Sequence, residues 1–456
     1  MAVSEASFLR KYNVLIASAI FFVPVFFIAY RAEWQYDEAW TYLGILHSSA
    51  KDIAEYKQFR LANNHVLNSL YFHLLQGWGI KTELMYRLVS LLSFALHYLY
   101  LYKLLKQNGY KAGNMSYLVF FLMPYMWFFS LGRGYAPALA AFTAAWYYYR
   151  SFEISKNERA LLFFVLAGCV ASLSLFSFVF PFVAMLLLLV VQNLSYLLKP
   201  RRILILLPVI PVMAYVFFMG RTVNRFDEYI VGGNSLFSNG ALSSIISYLS
   251  LSDMVAAKIF LALKIAVCAS LLPAAIVLVK RKVLYTEHLV MLMTIILMVL
   301  SHVLFGSKYP MFRGLMYMVL LMYLPFVYSN ARANIFVSAH LVVLMAIGSY
   351  NIGMLVDRSM KHKSYDVLAY MAGRKQILFV DNVNPNIVLY NHLYFGDSIK
   401  LVQYEMEEPL VEKSFYRALD TAVYVVGTAA ELKRKGVASL FDKQYELPET
   451  MFFVKK

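Results

Sequence analysis

The stretch Tyr36-Asp37-Glu38-Ala39-Trp40 lies a few residues beyond the first long apolar segment of the chain. Two adjacent carboxylates at a membrane surface are costly to desolvate and contribute nothing to insertion. A site that takes a proton from a hydroxyl group beside a lipid headgroup needs a carboxylate at this depth. The alternative is that the pair stabilises the N-terminus of a helix. Because adjacent helical positions point in different directions, at most one of the two is expected to face a given substrate atom.

Composition identifies the class of protein. The chain has 456 residues, of which 61% are hydrophobic and only 15% charged, whereas soluble domains are about 45–50% apolar and about 25% charged. The net charge of +16 comes from clusters between apolar runs, which fits membrane orientation better than nucleic-acid binding. The cysteines Cys169 and Cys268 lie inside apolar runs, which argues against a disulfide framework and a cysteine-based zinc site.

The apolar runs predict a mostly α-helical, polytopic membrane protein with about eleven transmembrane helices. Each run is judged against about 30 Å of hydrocarbon, and the first lacks a small-residue cleavage site, which predicts a retained signal anchor. The predicted spans are 13–30, 84–105, 115–131, 134–149, 160–176, 179–198, 203–220, 255–279, 288–305, 315–329 and 335–356.

The basic clusters predict the orientation of these spans. With the N-terminus inside, the tight Lys and Arg clusters all fall in inner loops, as the positive-inside rule expects. The outer side then holds the Asp37-Glu38 loop, the turn around Arg133, the loop 221–250 and the segment 307–313. The composition of the loop 221–250 fits either a gate over the site or a plain connecting loop. An odd number of spans also places the C-terminus outside.

Two further regions stand apart from the spans. The segment 31–83 is too long for a turn, and its part 45–59 predicts an interfacial amphipathic helix. The last hundred residues predict short strands at 377–381, 399–403, 422–426 and 451–454, alternating with helices near 385–395, 408–419 and 428–438. The predicted organisation is therefore a transmembrane catalytic domain, 1–356, followed by a small extramembrane α/β domain, 357–456.

Several polar residues on the outer side are candidates for substrate binding. Arg133 lies between glycines that permit close backbone approach, while Lys308 and Arg313 flank Pro310. These cations suit a lipid phosphate, although each also fits an interfacial anchor. Asn64, His65 and Tyr135 are the candidate substrate-binding residues; for His65, the alternatives are a helix cap or a hydrogen-bonded interfacial position.

The combination of motifs carries a family resemblance. The stretches Tyr36-Asp37-Glu38-Ala39-Trp40-Thr41, Asn63-Asn64-His65-Val66-Leu67-Asn68-Ser69-Leu70 and Arg133-Gly134-Tyr135 resemble the GT-C superfamily of membrane glycosyltransferases. The nearest branch is that of the dolichyl-phosphate-mannose protein mannosyltransferase-like enzymes. The similarity covers the N-terminal third in motifs and the remaining spans in layout. In that family the acid of the first outer loop is the catalytic base, which corresponds to Asp37, with Glu38 as its motif partner.

The resemblance implies inverting transfer of a hexosyl or pentosyl group from a polyprenyl-phosphate donor to a glycan, lipid or protein acceptor. The departing lipid phosphate gains negative charge, so the chemistry independently favours Arg133, Lys308 and Arg313 as donor-phosphate ligands. The family's second-loop acid has no counterpart here, which argues against a metal-dependent or two-acid version; the sequence supports no cofactor or metal. Composition and topology predict a bacterial inner membrane protein, with the active site and the C-terminal domain on the periplasmic side.

Two other functions remain open. A transporter or flippase of lipid-linked sugars predicts charges within the spans, and Lys258 and Lys264 in the run 255–279 fit it. A lipid-oligosaccharide polymerase or ligase shares the chemistry, but the absence of histidine from the loop 221–250 weakens it. No P-loop or dinucleotide-binding glycine motif is present, so the donor is expected to be dissolved in the membrane.

Overall fold

The computed structural model is mostly helical. The residues it describes are 2–57, 64–108, 120–121, 123–224, 232–233, 236, 286–310, 312–328, 343, 363–372, 378–381, 385–404, 424–427, 438–446 and 451–455.

Thirteen α-helices precede residue 330 within the described residues. They are α1 (Ala2–Arg31), α2 (Tyr36–Ile45), α3 (Ala50–Ala54), α4 (Val66–Gly77), α5 (Glu83–Gln107), α6 (Met123–Phe129), α7 (Tyr135–Ser155), α8 (Glu158–Ser174), α9 (Val179–Leu197), α10 (Pro200–Leu206), α11 (Val209–Asn224), α12 (Thr286–Phe305) and α13 (Met316–Tyr328).

Five described segments are long and apolar enough to cross a membrane, which confirms an integral membrane protein. They are Tyr12–Arg31, Glu83–Gln107, Phe176–Leu197, Pro200–Val223 and Thr286–Phe305. The predicted spans 134–149, 160–176 and 315–329 are also helices, as α7, α8 and α13. The predicted span 203–220 is divided into α10 and α11, with Pro208 between them.

Three predicted spans lie wholly or largely outside the described residues. These are 255–279, 335–356 and most of 115–131, of which α6 is the described part. The total of eleven spans therefore stays a prediction, as does the inner or outer assignment of the loops.

Helix α7 lies at the centre of the helical core, where it packs against α5 and α8. Its small buried side chains permit the close helix approach that is typical of membrane bundles; they are Ala136, Ala138, Ala140, Ala144 and Ala145. Lys156 ends α7 in a left-handed conformation, and the Asn157 side chain caps α8 by accepting a hydrogen bond from the Arg159 backbone at 2.9 Å. This tight turn places α7 and α8 side by side.

The segment 31–83 folds as α2, α3 and α4 rather than around one interfacial helix, so the predicted helix over 45–59 is wrong. Helix α2 ends at Ile45, and Ser49 starts α3 by accepting a hydrogen bond from the Asp52 backbone at 3.1 Å. The Asp52 carboxylate accepts in return from the Ser49 backbone at 3.3 Å. This capping box satisfies two exposed donors at the start of a new helix, which explains the break.

The C-terminal region contains α14 (Lys363–Met371), α15 (Pro385–Phe395) and a five-stranded sheet. The strand order is β4-β3-β5-β7-β6; β3 is parallel to β4 and β5, and β7 is antiparallel to β5 and β6. The strands are β3 (Leu378–Asp381), β4 (Leu401–Tyr404), β5 (Tyr424–Gly427), β6 (Phe441–Glu446) and β7 (Met451–Lys455), while β1 (Gly232–Gly233) pairs separately with β2 (Tyr309–Pro310).

The four predicted C-terminal strands are strands in the structure, and the predicted helix near 385–395 is α15. The strand β6 was not predicted because its sequence, FDKQYE, is polar, as befits a strand at the edge of a sheet. The predicted helices near 408–419 and 428–438 lie outside the described residues, except for position 438. The residues around the predicted domain boundary at 356 are also outside them, so the division into two domains stays a prediction.

The C-terminal region packs directly against the segment between α1 and α5. One buried core contains Trp34, Phe72 and Tyr86 from the N-terminal part together with Leu368 and Tyr390 from α14 and α15. Fully burying a large apolar side chain contributes about 1.5–3 kcal/mol, so this shared core is a substantial docking surface. It holds α14 and α15 beside the segment that carries Asp37 in the first turn of α2.

Candidate functional site

Asp37 and Arg133 form an ion pair, although they are almost a hundred positions apart in the sequence. The Arg133 Nη2 atom lies 3.2 Å from Asp37 Oδ2. Asp37 is in the first turn of α2, and Arg133 is in the short turn between α6 and α7. The Arg133 side chain is only 1% exposed, whereas that of Asp37 is 21% exposed. The carboxylate is thus held in place from the protein side and keeps an accessible face.

His65 and Tyr135 complete a cluster around the same guanidinium group. Arg133 Nη2 lies 3.3 Å from His65 Nε2 and 3.5 Å from the Tyr135 hydroxyl. The rings of His65 and Tyr135 meet edge to face with centroids 4.8 Å apart. Because arginine can only donate, His65 Nε2 is the acceptor, which places the proton of a neutral imidazole on Nδ1. Four of the predicted site residues therefore meet at one point.

Arg133 is not a surface anchor. It is buried with its Nη2 directed to Asp37, a position from which it can orient the carboxylate, while its role as a donor-phosphate ligand stays a prediction. A buried guanidinium is stabilised by such pairing, because an unpaired charge in this environment costs several kcal/mol.

Glu38 lies in a buried hydrogen-bond network, and its place among the catalytic residues stays a prediction. Its side chain is fully buried, with Oε1 accepting from Arg87 Nε at 2.9 Å and Oε2 from Arg87 Nη2 at 2.6 Å. The Gly132 backbone donates to Oε1, and the Gln35 backbone donates to Oε2 at 2.9 Å. With four donors on two oxygens, Glu38 is committed to joining α2, α5 and the Arg133 turn, while its neighbour Asp37 stays accessible.

Arg87 was missed by the sequence analysis. It lies in α5, fully buried, and its Nη1 donates to the carbonyls of Ala29 at 3.0 Å and Ala32 at 2.7 Å. The signal that could have found it is an arginine within a helix that is otherwise apolar, since such a residue needs a partner inside the protein.

The two glycines around Arg133 allow close packing of its turn. A Cβ atom on Gly134 would lie 2.6 Å from His65 Cβ and would also meet the Ser174 carbonyl oxygen. A Cβ atom on Gly132 would lie 2.8 Å from Phe72 Cζ and 3.0 Å from the Tyr86 carbonyl oxygen. The turn therefore approaches its neighbours more closely than any other residue type permits.

Gly134→Ala is expected to destabilise the protein by about 1–3 kcal/mol, the usual cost of overpacking, because the new methyl group meets both backbone and the His65 side chain. Thermal unfolding of the purified protein in detergent measures the change. The control is Gly220→Ala in α11, where nothing lies within 4 Å of the added Cβ. Equal melting temperatures for the two variants would show that the Arg133 turn is not tightly packed.

A cavity of about 640 Å³ opens beside this cluster, between α9, α11 and α12. His65 belongs both to its wall and to the Arg133 cluster. The apolar part of the wall is formed by Leu173, Leu175, Phe176, Val179, Phe180, Val183, Met213, Val216, Phe217, Leu297, Leu300, Leu304 and Phe305. The polar and charged lining comprises Asn64, His65, Ser174, Ser177, Arg221, Ser301, Ser307 and Lys308.

The remaining predicted residues are placed as follows. Lys308 lines the cavity, as expected for a ligand of a lipid phosphate. Asn64 also lines it, but its side-chain amide nitrogen donates to the Ile53 carbonyl at 3.0 Å, and its backbone carbonyl accepts from the Tyr56 hydroxyl. Asn64 therefore fixes the shape of the wall. The side chain of Arg313 is outside the described part of the chain.

Within the described ranges, no group of three or more His, Cys, Asp or Glu side chains could hold a metal ion. The charged and titratable side chains of the cluster are Asp37, Arg133 and His65, and the cavity lining adds Arg221 and Lys308.

The chain is similar in fold to a solved structure. The comparison that shows it is with ArnT from Cupriavidus metallidurans bound to undecaprenyl phosphate: the TM-score is 0.51, and the match covers 97% of this chain and 98% of that chain at 11% sequence identity. No known family profile and no curated protein sequence matches the chain. The likeness concerns the fold alone, so the GT-C superfamily and its dolichyl-phosphate-mannose branch both stay predictions.

Proposed function

We propose that this protein is a membrane glycosyltransferase that moves a sugar from a polyprenyl-phosphate donor to an acceptor hydroxyl, with Asp37 as general base. The observation that carries the proposal is the Asp37–Arg133–His65 cluster beside a largely apolar cavity, in a fold similar to that of ArnT. A reaction between a lipid-linked donor and a polar acceptor needs this combination of an apolar binding surface and a positioned carboxylate.

In the proposed reaction, Asp37 accepts the proton of the acceptor hydroxyl while the acceptor oxygen attacks the anomeric carbon. A new C–O bond forms, the bond to the lipid phosphate breaks, and the phosphate departs with the bonding electrons. Attack opposite the leaving group inverts the anomeric configuration. Arg133 keeps the carboxylate oriented through Oδ2, and preorganised alignment of this kind lowers the barrier because less reorganisation is needed in the transition state.

The cavity is the proposed donor site. Its apolar wall suits a prenyl chain, and Lys308 is the proposed ligand of the donor phosphate, with Arg313 as a second candidate. The presence of undecaprenyl phosphate in the structure of ArnT supports a polyprenyl-phosphate donor. The proposed acceptors are a glycan, a lipid or a protein, and the proposed location is a bacterial inner membrane with the site on the periplasmic side, as the distribution of basic clusters predicts.

Lys308→Ala is expected to weaken the affinity for a polyprenyl-phosphate donor by about tenfold to a hundredfold, the range for one lost hydrogen bond to a charged group. Equilibrium binding of undecaprenyl phosphate by the purified variant measures the change. Lys400→Ala, which removes one exposed positive charge away from the cavity lining, is the control. An unchanged affinity in Lys308→Ala would assign Lys308 to interfacial anchoring.

The test of the function is transfer of label from a panel of radiolabelled polyprenyl-phosphate sugars by the purified protein in nanodiscs. Label that moves to an acceptor or to water supports a glycosyltransferase. Lipid movement across the bilayer of reconstituted vesicles, without transfer, would instead establish the flippase. Lys258 and Lys264, the residues that favour that alternative, lie outside the described residues.

A further inference from the structure

Glu33 joins the C-terminal region to the loop between α1 and α2, directly before the helix that carries Asp37. It lies between α1 and α2, four positions before Asp37, and it is fully buried. Its Oε1 accepts a hydrogen bond from the backbone of Ser364 at 2.9 Å, in the first turn of α14. The first backbone N–H groups of a helix lack partners within the helix and carry partial positive charge. A carboxyl group supplied by another part of the chain satisfies one of them here.

The backbone of Glu33 continues this connection toward Asp37. Its carbonyl accepts from Arg87 Nη2 at 2.9 Å, and the same nitrogen donates to Glu38 Oε2 at 2.6 Å. Glu38 in turn accepts from the backbone of Gly132, next to Arg133. A series of contacts therefore runs from α14 through Glu33, Arg87 and Glu38 to the turn that carries Arg133. Arg133 in turn pairs with Asp37.

Among the described residues, polar contacts also join the C-terminal region to the start of α5, farther along the chain from Asp37. The Tyr390 hydroxyl donates to Glu83 Oε1 at 3.0 Å, and Lys81 Nζ donates to the Leu393 carbonyl at 3.1 Å. These contacts involve α15 and the start of α5. Of the three, the Glu33 contact alone involves the loop between α1 and α2.

We propose that Glu33 is a positioning residue, through which docking of α14 maintains the geometry of the Asp37–Arg133 pair. This inference deepens the proposed function and rests on it for its effect on sugar transfer. The contact with α14 holds the loop after α1 in place. The carbonyl of Glu33 in that loop then holds the Arg87 nitrogen that also binds Glu38. Loss of the α14 contact then loosens the surface on which the Arg133 turn is packed.

The electrostatic surroundings make this contact sensitive to pH. Burial raises the pKa of Glu33 from 4.5 to about 7, while the hydrogen bonds from Ser364 lower it, and the nearby carboxylates of Glu83 and Asp366 raise it further. The guanidinium of Arg87 meets the backbone of Glu33. The protonated, neutral form of Glu33, which predominates at low pH, is therefore the form that favours burial against α14. Docking is strongest below pH 4.5, weakens as pH rises toward 7, and stays at its weaker level above that value.

Hydrogen exchange measured over this pH range tests the proposal without reference to activity. In the full-length protein, the protection factor of peptides covering α14 should fall by up to about tenfold per pH unit within the window, because one proton is released on opening. Peptides covering α2 should follow. Glu33→Gln keeps an oxygen that accepts from Ser364 but cannot ionise, so its protection should not depend on pH, whereas Glu33→Ala should lose protection at every pH.

The control variant is Tyr390→Phe, which removes the hydroxyl contact with Glu83 and leaves Glu33 in place; it should retain the pH dependence. Independent protection of α2 and α14, or the same pH dependence in Glu33→Gln and the wild type, would overturn the proposal.

Sugar transfer provides the second measurement. The wild-type kcat should fall as pH rises from 4.5 to about 7 and level off above that value. Glu33→Gln should lack this fall, and Glu33→Ala should lower kcat by about tenfold with little change in donor KM. If the wild type transfers no sugar, the proposed function fails, while hydrogen exchange still decides whether Glu33 couples α14 to α2. If it transfers sugar with the same pH profile in Glu33→Gln, the positioning role fails and the proposed function stands.

Discussion

Asp37→Asn is expected to reduce sugar transfer by about 10²–10⁴-fold, the usual contribution of a general base. The amide has nearly the same shape as the carboxylate, and its oxygen can still accept a hydrogen bond from Arg133. The variant lacks only the capacity to take up the acceptor proton. Donor affinity should therefore stay close to that of the wild type, since Asp37 does not line the cavity assigned to the donor.

The measurement is a pair of assays, initial-rate transfer and equilibrium donor binding, on the same preparation. Asp442→Asn, in the exposed part of β6, removes one carboxylate outside the site and should leave both values unchanged. Normal turnover by Asp37→Asn would exclude Asp37 as the base. A loss of donor binding equal to the loss of turnover would instead mean that Asp37 contributes to the shape of the donor site.

Arg87→Met is expected to destabilise the protein by about 3–5 kcal/mol, because it leaves the Glu38 carboxylate buried without its partner. Methionine retains much of the side-chain volume, so the effect reports the lost charge and hydrogen bonds more than a cavity. Adding Glu38→Gln to this variant should recover a part of the loss, because the remaining buried group is then neutral. The double variant should therefore be more stable than Arg87→Met alone.

Unfolding in detergent, followed by circular dichroism or intrinsic fluorescence, measures both variants. The control is Arg201→Met: Arg201 also pairs with a carboxylate, Glu158, at 3.1 Å, but its side chain is 84% exposed. Surface pairs of this kind contribute about 0–1 kcal/mol. Similar stability losses for Arg87→Met and Arg201→Met would show that the pair between α2 and α5 is not structurally important.

The sequence was most informative where a single local requirement determines the structure. Spans follow from the thickness of the bilayer, and apolar runs such as 84–105 correspond closely to the helix Glu83–Gln107. The break at Ser49 had a local signal, Ser49 followed by Asp52 at capping-box spacing. The amphipathic pattern over 45–59 outweighed that signal, and the predicted helix was wrong.

The site shows a different limit. The motifs around Asp37, His65 and Arg133 identified residues that meet in the structure, but their separate roles depended on pairings over long sequence distances. Glu38 and Arg87 are 49 positions apart, and nothing local to Glu38 distinguishes a buried ion-pair partner from a second catalytic acid. Glu33 lies in an irregular loop, where no periodicity indicates burial. The role of each charged residue, in the site or in the buried network, therefore depends on which residue it contacts and not on its residue type.

The position of Arg87, one turn inside the N-terminus of α5, has a consequence for biogenesis. A buried arginine enters a bilayer at a cost of about 2.5–3.5 kcal/mol near the helix centre and less toward its ends. The carboxylate that offsets this cost belongs to the segment synthesised just before α5, so Glu38 is already present when Arg87 leaves the ribosome. The first two long apolar helices can therefore associate early, and the turn at Gly132, made later, docks on a carboxylate that is already in place.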